Sequence, residues 1–475
     1  KVTTLMLAAI VSHSLLALKE PGAEIEAATG MLEKLPSLHF SFQGALLSLS
    51  LLLLVSILSE KLGVKLGIPG SIFLFFAGLF FHVSGFSFES FPLEQVHVVS
   101  LCILLFFSGL SFDRKLLKEN KVLSNSISLG IFGTLLSMAF WLFYLIVGFG
   151  LFQGFFGYLE GVKQDLVELL VVTIVFSIAV QDWNSFMFVS KRIVDFRSIL
   201  SNIFKVETSI SASISVAVAE ILVLVWLALH PEYQLLNGWQ LFSSISQGIF
   251  IGSVSGIVLG YILMLTIRYV ITSKPQLVLG AVAFTLIGYV ISFSITHQGG
   301  YLCALVMGIV TSLTYRKSST EEEIEFLAEE LETLNIASEA ILFFAIGLGL
   351  NATSFFVHLP VAIYVWLGII IIRPITVNLF FKGSSAIETE ERQLLSIWSP
   401  KGAISMALVV TAPELLEGTF GMEIAEIFPE SASSFSADVV CGAVLFSMIV
   451  KSLAIPKIHS QLIPTQNTIT TNQEA

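Results

Sequence analysis

Apolar runs of about twenty residues, each closed by a short polar or charged stretch, recur along this chain. Reading for such runs predicts one N-terminal segment at about residues 2–18 and then thirteen helices. Helices one to four fall at about 43–59, 67–83, 96–112 and 122–149. Helices five to nine fall at about 167–189, 199–229, 241–271, 277–293 and 299–313. Helices ten to thirteen fall at about 338–357, 360–381, 395–410 and 437–455. Helices six and seven are long enough to tilt strongly or to protrude. The N-terminal segment has two readings, an extra helix or a signal-like sequence with Lys1 as its basic flank.

The polar positions inside these runs stand out. Asp182 lies within helix five, and Glu207, Arg373 and Lys401 lie within helices six, eleven and twelve. A charge at mid-membrane costs roughly 2.5–3.5 kcal/mol on insertion scales, so it persists mainly where it faces a partner, a cavity or an ion path. Composition agrees with a membrane setting. The 475 residues are 55% hydrophobic and 12% charged, with mean hydropathy +0.88, whereas soluble domains are about 25% charged. The net charge of −11, with no basic cluster, argues against nucleic-acid binding. Cys102, Cys303 and Cys441 are scattered through apolar runs, which argues against a disulfide framework and against a metal site.

Lys and Arg fall on alternate loops. One set holds Lys61, Lys65, Arg114, Lys115, Lys191, Arg192, Arg268, Lys274, Arg316 and Lys382, among others. The opposite set holds only Lys19, Lys34 and Lys163. Helix one therefore starts outside and the C-terminus is cytoplasmic. The acidic loop 413–435 carries no basic residue and fits outside. After helix nine, Ser318 to Glu323 reads as a helix start. Ile324, Leu327, Leu331 and Leu334 then recur at helical spacing, which predicts an amphipathic surface helix connecting nine to ten.

A faint internal repeat is present. Ile103, Leu104, Phe106, Gly109 and Leu110 of helix three recur in register as Ile341, Leu342, Phe344, Gly347 and Leu348 of helix ten. Gly70 and Gly78 of helix two are echoed by Gly300 and Gly308 of helix nine. Helices seven apart run in opposite directions, so the pattern predicts inverted repeats. Repeat one is 43–229, the linker helix 241–271 and repeat two 277–455, with 1–42 before them and a tail at 456–475. Helix five then pairs with helix twelve. Both are interrupted, at Gln181-Asp182-Trp183-Asn184-Ser185 and at Ser399-Pro400-Lys401-Gly402. Pro removes a donor and Gly loosens the backbone, so helix twelve reads as broken. Paired broken helices point to an ion site near the midplane. The other reading of Pro-Lys-Gly is a loop at a membrane edge, with Lys401 reaching for the interface.

These residues resemble the bacterial sodium/proton antiporters of the monovalent cation:proton antiporter family over nearly the whole chain. LLFFSGLSFD (104–113) is similar to the family's helix-three signature, and FFAIGLGLN (343–351) to its counterpart. Arg373-Pro374 resembles the Arg-Pro helix, and Trp398-Ser399-Pro400-Lys401-Gly402 the Trp-x-Pro-Arg-Gly segment, with Lys for Arg. Gln181-Asp182-Trp183 stands where the family has Thr-Asp-Pro. Glu207 to Ala212 stands where it has Glu-Ser-x-x-Asn-Asp, so Ser211 and Ala212 replace the Asn-Asp pair. A methyl group binds neither a cation nor a proton, and the next acid on helix six, Glu220, is more than two turns away.

The resemblance implies an all-α polytopic membrane protein with two broken crossing helices. It also implies exchange of a monovalent cation, sodium or potassium, for protons by alternating access. Asp182 is the candidate ion-binding carboxylate, with Gln181 and Ser211 as candidate oxygen ligands; its alternative role is a structural acid bonded to backbone amides. Glu207 and Arg373 are expected to form a structural ion pair, and Lys401 to offset helix-dipole ends at the crossing. No catalytic residues, cofactor or metal are expected, since no nucleophile–base set appears among eight scattered His residues. The expected setting is the plasma membrane, and the expected assembly a homodimer. A second function class stays open, a transport-defective member acting as sensor, conduit or partner subunit.

Overall fold

The computed structural model describes residues 42–84, 93–110, 120–152, 164–193, 198–229, 238–271, 273–296, 299–318, 321–381, 387–420 and 430–462. The N-terminal run at 2–18 lies outside the described residues. Among the described residues the regular structure is helical throughout, and each of the thirteen predicted segments overlaps a helix or a broken pair, helix ten straddling the break between two helices.

The first half comprises α1 (Phe42–Leu66), α2 (Gly70–Val83), α3 (Leu93–Leu110), α4a (Asn120–Ser128), α4b (Thr134–Phe152), α5a (Gln164–Ala179), α5b (Trp183–Ser190) and α6 (Ser198–Leu229). A π-helical turn, Leu129–Gly133, joins α4a to α4b. α7 (Gly238–Tyr269) follows. The second half comprises α8 (Lys274–Ile295), α9 (Gly299–Ser318), α10 (Glu321–Gly349), α11 (Ala352–Phe381), α12a (Thr389–Ile397), α12b (Ala403–Phe420) and α13 (Glu430–Leu462). Six described helices are long and apolar enough to cross a bilayer, and the bent pair formed by α5a and α5b adds a seventh.

Local chemistry sets several boundaries. α1 ends at Gly67, whose φ of 75° suits glycine, and the Gly67 and Ile68 amides both close onto Gly63 O. The predicted boundary between helices ten and eleven at Pro360 is displaced. The break falls at Leu350–Asn351, because Asn351 caps α11: its Oδ1 accepts from Ser354 N at 3.2 Å, and its carbonyl from Phe355 N. Pro360 and Pro374 are carried inside α11. The surface connector predicted after helix nine is also different. From Glu321 the chain runs as one helix to Gly349, with Leu331 already buried in the core, so the segment is the first half of α10.

Packing reproduces the repeat glycine by glycine. A Cβ at Gly78 of α2 would overlap the carbonyl of Phe344 in α10, and one at Gly347 would overlap the carbonyl of Phe75 in α2. The α3–α9 crossing repeats this arrangement: Gly109 meets Leu305 O and Gly308 meets Phe106 O. In all four cases the carbonyl belongs to the residue three before the partner's glycine. A third reciprocal contact joins α4b to α11. The rings of Tyr144 and Tyr364 stack 4.5 Å apart, and each hydroxyl donates to the other's carbonyl at 2.9 Å. These contacts join helices two to ten, three to nine and four to eleven, as inverted halves seven helices apart require. Around this core, α7, α8 and α11 present outward apolar faces that include Phe250, Ile257, Val290 and Ile371, as helices in a bilayer do.

Candidate functional site

Helices five and twelve are both broken, and the breaks face each other. The chain is non-helical at residues 180–182 and 398–402, and α5a and α5b meet at a 41° bend. Asp182 N donates to Pro400 O at 2.9 Å across the crossing. The Asp182 carboxylate caps α5b: Oδ1 accepts from Asn184 N at 2.8 Å and Ser185 N at 3.3 Å. Its Oδ2 accepts from Ile404 N, in the first turn of α12b, at 3.3 Å. One buried carboxylate thus serves the positive ends of two half-helices. Gly402 lets it do so, since a Cβ there would lie 2.5 Å from Asp182 Oδ2.

Two buried lysines serve the opposite ends. Lys401 Nζ donates to Val180 O, just past α5a, at 2.7 Å. Lys451 Nζ, on α13, donates to Ser399 O, past α12a, at 2.5 Å. Ser185 Oγ adds a bond to Lys401 O at 2.6 Å, so the two breaks hold each other.

The three predicted oxygen donors do not converge. Gln181 points away from the Asp182 carboxylate, into a void of about 20 Å³ lined also by Glu207, Arg373, Ser399 and Lys401. With its nitrogen turned to Ser399 Oγ and Pro400 O, its oxygen lies 3.2 Å from Lys401 Nζ. Ser211 Oγ is occupied by backbone, accepting from Gln181 N at 3.2 Å and donating to Thr208 O at 3.1 Å. Ala212 is fully buried in the apolar core.

Glu207 and Arg373 meet in a buried two-pronged pair. Arg373 Nη1 donates to Glu207 Oε1 and Nη2 to Oε2 at 2.8 Å. Arg373 Nε reaches Leu395 O of α12a at 3.3 Å, so the pair links α6, α11 and α12a. Trp183 packs in an aromatic cluster with Phe186, Phe204 and Trp398 rather than in an open cavity.

The chain's family is legible at this point. A family model described as "Sodium/hydrogen exchanger, transmembrane" matches residues 46–460. The chain belongs to this family. The chain is a multi-pass membrane protein, and its family and structural neighbours are cation/proton antiporters, not enzymes. Its fold matches that of the sodium/proton antiporter MjNhaP1 from Methanocaldococcus jannaschii. Against a structure at pH 8 the TM-score is 0.64 at 17% identity, covering 89% of this chain and 100% of that one. Against an electron-microscopy structure it is 0.65 at 17% identity, covering 89% and 99%. No curated protein sequence matches the chain.

Sequence reading missed Glu339. This carboxylate, on α10, lines one cavity wall with Ser71 and with Asn184, two residues after Asp182. A signal was present. Glu332, Asn335 and Glu339 are spaced three and four residues apart, a polar stripe on one helical face. Placing the start of helix ten at 338 turned Glu339 into a membrane-edge acid and hid the stripe.

Proposed function

We propose that the protein exchanges a monovalent cation, sodium or potassium, for protons across the plasma membrane by alternating access, with its C-terminus in the cytoplasm. The observation that carries this reading is the Asp182 carboxylate, buried where two half-helices start. Oxygens there can hold either a proton or a desolvated cation, the minimum chemistry of exchange. The orientation rests on the Lys and Arg loops. A cavity of about 390 Å³ opens beside α5b on the side those loops make cytoplasmic, which fits one end-state of an alternating cycle. In this reading residues 43–229 and 277–455 are two interlocked inverted repeats, 241–271 links them, and two copies form a homodimer. Glu207, Arg373 and Lys401 hold geometry; Gln181 and Ser211 shape the breaks.

Proton-coupled flux in liposomes, with sodium, potassium and lithium in turn, tests the reading. Wild type is expected to exchange at least one cation. Asp182→Asn is expected to abolish that exchange, since an amide cannot cycle between proton and cation. No exchange for any cation at any pH would favour the second class, a sensor or partner subunit. The buried methyl of Ala212, where the resemblance implies a carboxylate, is the observation behind that class.

A further inference from the structure

The cavity of about 390 Å³ lies among α1, α2, α5b and α10, with Ser71, Asn184 and Glu339 in its wall. Its charged wall residues are Glu60, Lys191, Arg192, Glu332 and Glu339. Both cations are engaged, Lys191 with another wall residue and Arg192 with backbone. Lys191 Nζ lies 2.7 Å from Glu332 Oε1, and Arg192 Nη1 donates to Gly67 O and, at 3.3 Å, to Ser452 O. Glu339 shares the cavity wall with Ser71 and Asn184. Asn335, one turn earlier on the same face of α10, donates through Nδ2 to Asn184 Oδ1. A separate void of about 10 Å³ lies beside the crossing, lined by Asp182, Asn184 and Asn335 among apolar residues. Asn184 therefore borders both the open cavity and the void beside the capped carboxylate.

We propose that Glu339 is a second ion-binding carboxylate, which takes a partly dehydrated monovalent cation from this cavity in exchange for a proton, with Ser71 and Asn184 as neutral oxygen ligands. This deepens the antiport reading and rests on it for the ion's transport, not for its binding. Three backbone N–H groups already hold Asp182, which leaves a carboxylate's roughly four lone-pair sites nearly full. Beside Glu339 on this wall, Ser71 offers a hydroxyl oxygen, and Asn184 an amide oxygen that accepts from Asn335 and keeps a second lone pair. Glu339 is half-buried on a largely apolar cavity wall, where a carboxylate is favoured with either a proton or a counter-ion bound. Glu339 therefore holds either a proton or a cation: as the cation binds the carboxylate, the proton leaves to the cavity, and charge balances. The acid that the resemblance implies on helix six is thereby supplied from helix ten.

The test uses the purified full-length chain in detergent. Melting temperature is followed as sodium, potassium or lithium replaces choline at constant ionic strength. Proton release on adding the same salts is followed in weak buffer, because a cation displacing a carboxyl proton must release it. Wild type is expected to be stabilised by at least one of these cations and to release protons with it. Glu339→Gln is expected to lose both signals, Glu339→Asp to keep them with weaker affinity, and Ser71→Ala to weaken apparent affinity about tenfold, or 1.4 kcal/mol. Melting in choline reports whether each variant folds, and Ser71→Ala carries the test if Glu339→Gln does not fold. Unchanged stabilisation and proton release in Glu339→Gln, or wild-type affinity in Ser71→Ala, overturns the proposal, as does a wild type with neither signal. Wild type that binds cations but shows no liposome flux fails the antiport reading alone. Flux and binding unchanged by Glu339→Gln but abolished by Asp182→Asn fail this proposal alone.

Discussion

Asp182 shows how much one side chain is asked to do. It caps two helices, and its nearest approach to the second is made possible by a missing side chain at Gly402. Gly402→Ala is therefore expected to push the carboxylate off Ile404 N and to lower exchange at least tenfold, about 1.4 kcal/mol in the barrier. Liposome flux beside a melting curve separates the local effect from unfolding. The pair formed by Glu207 and Arg373 makes a different prediction. Removing either partner leaves a buried charge alone and should cost about 3–5 kcal/mol, whereas removing both should cost clearly less. Detergent melting of Glu207→Gln, Arg373→Met and the double variant measures it, and equal losses in all three would argue against coupling. Asp182, Glu207, Arg373 and Lys401 were legible in the sequence because a charge is conspicuous in an apolar run. The separation of Gln181 from the Asp182 carboxylate was not legible. Neighbours in sequence at an unwound turn can face opposite sides, and only the φ and ψ of residues 180–182 decide which.

At the scale of elements, periodicity located the described helices apart from most of α12a, and the breaks fall where polar residues interrupt apolar runs, with Pro and Gly at helix twelve alone. What escaped was competition between signals. Pro360 looked like a helix boundary, but Asn351 offered a cap, and an apolar bundle tolerates a proline inside a helix. The segment from Glu321 looked like a surface connector, but nothing in it stops a helix, so it runs straight into α10. The glycine echo proved to mark the α2–α10 and α3–α9 crossings. Gly78→Ala and Gly347→Ala each place a methyl group on a main-chain carbonyl that no rotamer change can move. Each is expected to cost at least the 1–3 kcal/mol typical of overpacking. Gly349→Ala, with open space around it, is the matched control and should melt like wild type. A Gly78→Ala protein as stable as that control would contradict the close crossing.

At the scale of the molecule, the family was legible from the order of weak motifs rather than from any one of them, and a model match over residues 46–460 agrees with that order. The cavity was invisible to sequence reading, because its wall is gathered from α1, α2, α5b and α10, far apart in the chain. Its proposed cytoplasmic opening can be tested with one introduced thiol, since Cys102, Cys303 and Cys441 are all buried. Ser56→Cys, on the cavity wall, is expected to react with a membrane-impermeant maleimide in inside-out vesicles and not in right-side-out ones. Labelling from both sides, or only from outside, would reverse the orientation read from the Lys and Arg loops.

The four carbonyls seated on Gly78, Gly347, Gly109 and Gly308 have a mechanical consequence. With backbone resting on backbone there is no side chain to act as a spacer. A slide of about one turn along either axis would bring Leu74 or His82, four residues from Gly78 on the same helical face, to the carbonyl that Gly78 admits. Each crossing is thus a pivot: it permits a change of angle and resists translation. Two such pivots, related by the repeat, define one line through the molecule, about which a tilt of α2 against α10 and of α3 against α9 is the least hindered displacement.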